Sequence, residues 1–179
     1  MASPEYYHNS KVHVEVLSRE TTASSPEYVI RVLDRFKQEF RLNRYDELWM
    51  VIDVDSWGDE KLSLIAAQCT QKKYYLAVSN PSFELWLLLH LKSPEEYSET
   101  ELNEFAENRK ESRRTRLEKE IVNLLGSFNK INPDTSQFLP YVEMAIARAR
   151  SLDTNPEHRW PNKLGTRVYL LAERIITGR

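Results

Sequence analysis

The 179 residues carry 25 Lys and Arg against 27 Asp and Glu, a net charge of −2. That balance gives no bulk attraction for a polyanion, so any basic contact surface must be local. A single cysteine, Cys69, excludes an internal disulfide framework and a multi-cysteine zinc site, and fits a reducing cytoplasm. Only four glycines, with neither the Walker nor the dinucleotide-binding pattern, speak against a glycine-rich phosphate loop. No stretch reaches the ~18 apolar residues of a membrane span, and the N-terminus lacks a signal-peptide pattern. The length suits one ordinary domain, or one with a helical appendage.

Val12, Val14 and Val16 alternate with His13 and Glu15, the period of a half-buried strand. Ser25 before Pro26 reads as a helix N-cap with proline at the first helical position. Val29, Val32, Leu33, Phe36 and Phe40 follow at helical spacing, a stripe that should pack on a sheet. Leu48 to Ile52 is apolar throughout and predicts a strand buried on both faces, as in a mostly parallel sheet. A second amphipathic helix carries Leu62, Ile65, Ala66 and Cys69, and a third strand runs from Tyr74 to Val78. Phe83 and Leu85 to Leu89 then form a helix apolar nearly all round. This order predicts an α/β layered core over residues 11–91.

Charged residues dominate from Pro94 to Glu120, which reads as a solvated helical excursion or a mobile insertion. Leu117, Ile121, Leu124 and Leu125 open a helix that ends near Gly126. Two further stripes follow, Phe138, Val142, Ala145, Ile146 and Ala149, then Val168, Leu171, Ala172 and Ile175. Residues 92–179 therefore predict a helical region packed on or beside the core.

Three places can carry chemistry. Asp53 and Asp55 stand at the carboxyl end of the most apolar strand, where ligands collect in open α/β sheets. Two acids at i and i+2 project to one side while the chain stays extended, and such hard oxygens suit Mg²⁺ or Mn²⁺. Equally, the pair can terminate the strand and cap the next helix. In Ser79-Asn80-Pro81-Ser82-Phe83-Glu84-Leu85-Trp86, Asn80 can cap a helix begun by Pro81. Glu84 needs a partner among its Phe, Leu and Trp neighbours. It faces the crevice near Asp53, or pairs with an arginine or with backbone amides. Arg109, Lys110, Arg113, Arg114 and Arg116 either hold a phosphate backbone or make i,i+4 pairs with the interleaved glutamates. Cys69 reads as core, His90 as a dipole-favoured residue at a helix end, and Trp57 as a wall of the crevice.

Taken together, Val51-Ile52-Asp53-Val54-Asp55 and Ser79-Asn80-Pro81-Ser82-Phe83-Glu84-Leu85-Trp86-Leu87-Leu88-Leu89-His90 resemble the central motifs of RloB-like proteins. The segment from Asn162 through Gly165-Thr166-Arg167-Val168-Tyr169 resembles that family's closing segment, where Ser-Thr is commoner than Gly-Thr. The resemblance implies a Toprim-like fold with a mostly parallel sheet and a helical C-terminal region. It also implies a role in antiviral abortive-infection loci, often beside an ATPase partner. Toprim-type centres hold Mg²⁺ for phosphodiester chemistry with a first-strand glutamate and a later D-x-D. Carried over, Asp53 and Asp55 match the D-x-D as catalytic and metal residues. Glu84 is a further catalytic candidate from the adjoining turn, with Arg109, Lys110, Arg113 and Arg114 on nucleic acid. The first-strand glutamate has no match here: residues 1–11 hold no apolar strand, Glu5 has none to support it, and Glu15 falls on the expected second strand. The expected function is a nuclease-type effector or a non-catalytic defence subunit on a degenerate Toprim scaffold. The expectation for the isolated chain is little or no cleavage.

Overall fold

The computed structural model describes residues 11–17, 25–54 and 57–178. Asp55 therefore lies outside the described residues, and with it the second half of the D-x-D. Helix α1 spans Pro26–Glu39, with the Ser25 hydroxyl accepting from the Tyr28 amide at 3.3 Å as the sequence predicts. Strand β1 is Trp49–Asp53, helix α2 Asp59–Lys72 and strand β2 Tyr75–Asn80. The buried helix α3 follows at Glu84–Leu91, then α4 at Glu99–Glu107. A two-strand hairpin, β3 (Lys110–Glu111) and β4 (Arg114–Thr115), leads into α5 at Arg116–Leu125. Helix α6 is Val142–Leu152, strand β5 Gly165–Thr166 and helix α7 Val168–Thr177.

The described central sheet is small and mixed, in the order β1-β2-β5. Strands β1 and β2 are parallel, with Asp53 opposite Ser79, whereas β5 runs antiparallel to β2 and pairs Thr166 with Ser79. Successive residues of β2 serve opposite cores, because side chains alternate across a strand. Val78 joins Ile30, Leu33, Met50, Ile52, Leu62, Ile65 and Cys69 under α1 and α2. Ala77 joins Leu85, Leu88, Leu117, Ile121, Ala145 and Ala149 on the other side. Helices thus cover both faces of β2.

Several expectations need correction. Residues 12–17 form no strand: Val14 and Val16 are exposed, so their alternation buries neither valine. Only Leu17 of that run packs against the core under α1 and α2. β1 is not buried on both faces, because Val51 is 38% exposed while Met50 and Ile52 are covered. The stripe on α1 is rotated: Ile30 and Leu33 are its buried aliphatics, and Phe36 and Phe40 stack on each other, with Phe40 exposed. The charged segment after Ser93 is no mere excursion, since Phe105, Leu117 and Ile121 are fully buried in the core around α3. Leu117 and Ile121 bury the helix stripe expected of them, whereas Phe105 was masked by the polar face around it. Helix α5 does end at Gly126, whose φ of 78° is the left-handed conformation that glycine adopts without steric cost.

His90 is a core residue rather than a charged cap. Burial pushes its pKa below the ordinary value, its Nδ1 meets the Trp86 carbonyl at 2.8 Å, and its ring contacts Trp86 and Phe138 edge-on. The cation at the end of α3 is Arg148, which donates to the carbonyls of Leu89 and His90. Cys69 is buried and its thiol is pushed up to about 11, which leaves it protonated at neutral pH and a poor nucleophile.

The segment between α6 and β5 is fixed by one buried ion pair. Arg167 grips Asp153 through two nitrogens, at 2.9 and 3.1 Å, and donates to the carbonyls of His158 and Asn155. The Tyr169 hydroxyl adds a bond to Asp153 at 3.2 Å. Removing one partner strands the other charge in the interior. Arg167→Ala is expected to lower unfolding stability by about 3–5 kcal/mol, measured by urea denaturation. A loss under about 1 kcal/mol, the value typical of exposed pairs, would show that the pair is solvated and does not fix this segment.

Candidate active site

The parallel pairing of β1 and β2 brings Asp53 to the carboxyl end of the pair, opposite Ser79. Asp53 closes β1 half-buried, and the next amide, Val54, donates to the Ser79 carbonyl at 2.9 Å. Ser79 is fully buried, and its hydroxyl shares a 2.8 Å hydrogen bond with that of Thr166. The chain then turns through Asn80, Pro81 and Ser82 into α3. Asn80 does not cap that helix: Phe83 is the N-cap residue, and the Asn80 amide instead donates to the Pro161 carbonyl at 2.9 Å. A side chain expected to start a helix therefore ties β2 to the segment before β5.

Glu84 opens α3 and is 3% exposed. Burial alone would raise its pKa. The Lys130 ammonium, the Ser82 hydroxyl and its own backbone amide outweigh that cost and hold the carboxyl below its ordinary value. Lys130 Nζ lies 2.5 Å from one Glu84 oxygen and 3.5 Å from Glu118. Burial would lower the lysine, but Glu84, then Glu118 and Asp53, keep its pKa above the ordinary value. Of the open readings of Glu84, the paired one holds, with a lysine in place of an arginine and its own backbone amide beside it.

Behind this pair stands Asn108, 9% exposed and in the left-handed conformation at the end of α4. Its Nδ2 donates to the Ser82 hydroxyl at 3.3 Å, and its Oδ1 accepts from the Leu117 amide at 3.0 Å. One asparagine therefore joins the end of α4, the start of α5 and the turn that carries Glu84. At the start of α5, Thr115 and Glu118 exchange backbone and side-chain bonds in a capping box, which fixes the second carboxylate facing Lys130. Lys130 and Asn108 were not singled out in the sequence, and Ser82 and Thr166 stood there only inside longer motifs, with no role of their own. Lysine and serine in a loop carry no pattern, and an Asn closing a polar helix signals only a left-handed residue.

The basic cluster does not run along a helix but wraps the β3–β4 hairpin. Lys110 and Arg113 are exposed and Arg114 is half-buried. Arg109 pairs with Glu107 at 3.0 Å. Arg116 is held by Glu104 at 2.9 Å and by Glu120 at 3.1 Å, the i,i+4 pair anticipated from spacing, and lies over the Phe105 ring. The groove beside the hairpin is lined by both signs, Glu104, Glu107 and Glu111 with Arg109, Arg114 and Lys119. Trp57 is half-buried against the core under α1 and α2 and carries the Lys61 ammonium 4.1 Å over its ring.

Among the described residues no three histidine, cysteine, aspartate or glutamate side chains converge as a metal cage. Carboxylate oxygens such as those of Asp53 are of the kind that hard divalent ions take, whereas Glu84 is already engaged by Lys130. No described helix is long and apolar enough to cross a membrane. A family model described as RloB-like protein matches residues 2–175, nearly the whole chain. No curated protein and no solved structure matches the sequence.

The ion pair makes a pH prediction. Glu84 has a lower pKa folded than its unfolded value of about 4.3, so it stabilises the fold above that pH. The contribution is lost as pH falls through the folded value. The stability gap between wild type and Glu84→Gln should therefore shrink as pH drops from about 6 to about 3, read from urea midpoints. A gap that stays constant would show that Glu84 is not held ionised.

Proposed function

We propose, for a chain that belongs to the RloB-like family, a metal-dependent nuclease-type effector that acts on nucleic acid in antiviral defence within the cytoplasm. The single observation that carries this reading is the parallel β1–β2 pairing, which sets Asp53 at a strand end opposite Ser79, where β2 in turn leads into α3 and the buried Glu84. Asp53, with Asp55 two residues on, would hold Mg²⁺ or Mn²⁺. Such an ion, when bound, supplies Lewis-acid polarisation of a phosphodiester and a water of lowered pKa. The chain's own residues do the positioning. Asp53 is fixed by the β1–β2 register, Glu84 by Ser82 and Lys130, and the turn between them by Asn80 and Asn108. Arg109, Lys110, Arg113 and Arg114 around the hairpin would hold the polyanion, a local basic surface on a chain of near-neutral charge. An ATPase partner fits the loci in which this family stands.

A non-catalytic binding or regulatory subunit is the second reading. It is favoured by Lys130, which already neutralises Glu84, and by the absence of a three-ligand cage among the described residues.

The two readings part in one assay. Purified protein is incubated with single- and double-stranded DNA and structured RNA, with Mg²⁺ or Mn²⁺. The effector reading expects slow, metal-dependent cleavage by the chain alone that falls at least ~100-fold in Asp53→Asn, because misplacing a reacting group by about 1 Å already costs that much. Binding without cleavage in any metal favours the subunit reading, and activity untouched by Asp53→Asn defeats the effector reading.

Hairpin binding has its own signature. Replacing Arg109, Lys110, Arg113 and Arg114 together with alanine should flatten the slope of log affinity against log salt. On duplex DNA the change is roughly 0.9 for each phosphate that the hairpin no longer neutralises. An unchanged slope would remove the hairpin from the interface.

A further inference from the structure

We propose that the groove between the β3–β4 hairpin and α5 binds a phosphomonoester, with Arg114 as its anchor. The ligand is the phosphorylated end of a nucleic-acid strand or a free mononucleotide. This inference deepens the nucleic-acid reading above, because it separates a groove for one terminal phosphate from the exposed hairpin cations Lys110 and Arg113. The groove has a volume of about 620 Å³, within the range of small-ligand sites. Its cations are paired with one exception. Arg109 meets Glu107 at 3.0 Å, Arg116 meets Glu104 and Glu120, and Lys119 meets Glu111. Arg114 is half-buried in the same lining, and its side chain makes no hydrogen bond or ion pair among the described residues. The hairpin register sets it directly opposite Glu111, yet that carboxylate is taken by Lys119 on α5.

The lining is thus rich in donors, and its acceptors are already used. A guanidinium carries five N–H donors and an ammonium three, so the paired cations also keep donors to spare. The ligand that fits is acceptor-only, with several oxygens for the planar fork of an arginine. A phosphomonoester brings about −1.5 to −2 charges and three strong acceptor oxygens. A carboxylate brings one charge and two oxygens. A phosphodiester backbone laid along the groove would set successive phosphates against Glu104, Glu107 and Glu111, whereas a terminal phosphate enters once. The Leu117 and Glu118 amides at the head of α5 are already bonded, to Asn108 and Thr115, so the guanidinium and not the helix end supplies the anchor. Val122 and Asn123 on the α5 wall offer an apolar patch and an amide to the attached sugar or base.

The experiment measures binding of short single-stranded DNA and RNA to the full chain by fluorescence anisotropy, with chelator present so that no metal-dependent cleavage intervenes. Each strand ends in a phosphate, in a carboxylate or in hydroxyls only. The phosphate end should tighten binding about tenfold over the hydroxyl strand, equivalent to one charge-assisted contact. Arg114→Ala should erase that gain and leave the hydroxyl strand bound nearly as before. Its urea midpoint should match wild type, and a large drop would show that the guanidinium serves the fold and overturn the proposal. Three further results overturn it while leaving the nucleic-acid reading standing: no gain from a phosphate end, an equal gain from a carboxylate end, or equal weakening of all strands in Arg114→Ala. Calorimetry with a nucleoside monophosphate separates the two sources. Binding of that probe that is lost in Arg114→Ala, with no strand bound, supports a free mononucleotide as the ligand and counts against the nucleic-acid reading. No binding of any probe overturns both.

Discussion

A carboxylate cannot be buried at the head of an apolar helix unless other groups take over the work of water, and the part of the chain around α3 is arranged to do that. Glu84 receives the Ser82 hydroxyl, its own amide and the Lys130 ammonium. Each donor must itself be placed. Ser82 is steadied by Asn108, and Asn108 is held at the junction of α4 and α5 by the Leu117 amide. Lys130 arrives on the segment beyond α5 and is also drawn by Glu118, which the α5 capping box orients. The charged stretch from Ser93 to Gly126 is thereby coupled to the strand ends. Phe105, Leu117 and Ile121 anchor it from below, in the core that α3 shares with α5 and α6.

The other flank of the β2 strand end is built on different physics. Here the framework is a neutral hydroxyl pair, Ser79 with Thr166, and a short antiparallel strand that places Gly165 and Thr166 against the end of β2. The Arg167–Asp153 pair sets the course of the segment that precedes this strand, and that segment presents the Pro161 carbonyl to Asn80. Gly165 is needed at the junction for space: a Cβ there would lie 3.1 Å from the Pro161 side chain, closer than most such contacts. The charged framework around Glu84 and the neutral one around Ser79 thus flank Asn80.

Much of the fold was legible because its signals are local. The Ser25-Pro26 start of α1, the buried face of α2 and the Gly126 stop of α5 are capping and periodicity, and all three hold. The failures share a cause: each needed knowledge of a distant partner. Val12 to Val16 alternates as a strand does, but period two marks a strand only where a sheet edge receives it, and Val14 and Val16 remain exposed. Asn80 before Pro81 carries the local signature of a cap, yet its amide is claimed by Pro161, 81 residues away. For the site, the acids were visible and their company was not. Asp53 and Glu84 stand out as charges at the ends of apolar runs. Lys130 lies 46 positions from Glu84 in a polar loop, so nothing but the folded chain could pair them. The family motifs pointed to the same two strand ends, and the match over residues 2–175 gives that resemblance its footing.

Whether Asp53, at the end of β1, binds a divalent ion is tested most directly by anomalous diffraction from crystals soaked in Mn²⁺. The expected result is one strong manganese peak at coordination distance, about 2.1 Å, from an Asp53 carboxylate oxygen. A peak confined to other surface acids, or no peak beside Asp53 at saturating Mn²⁺, would contradict the metal-dependent reading.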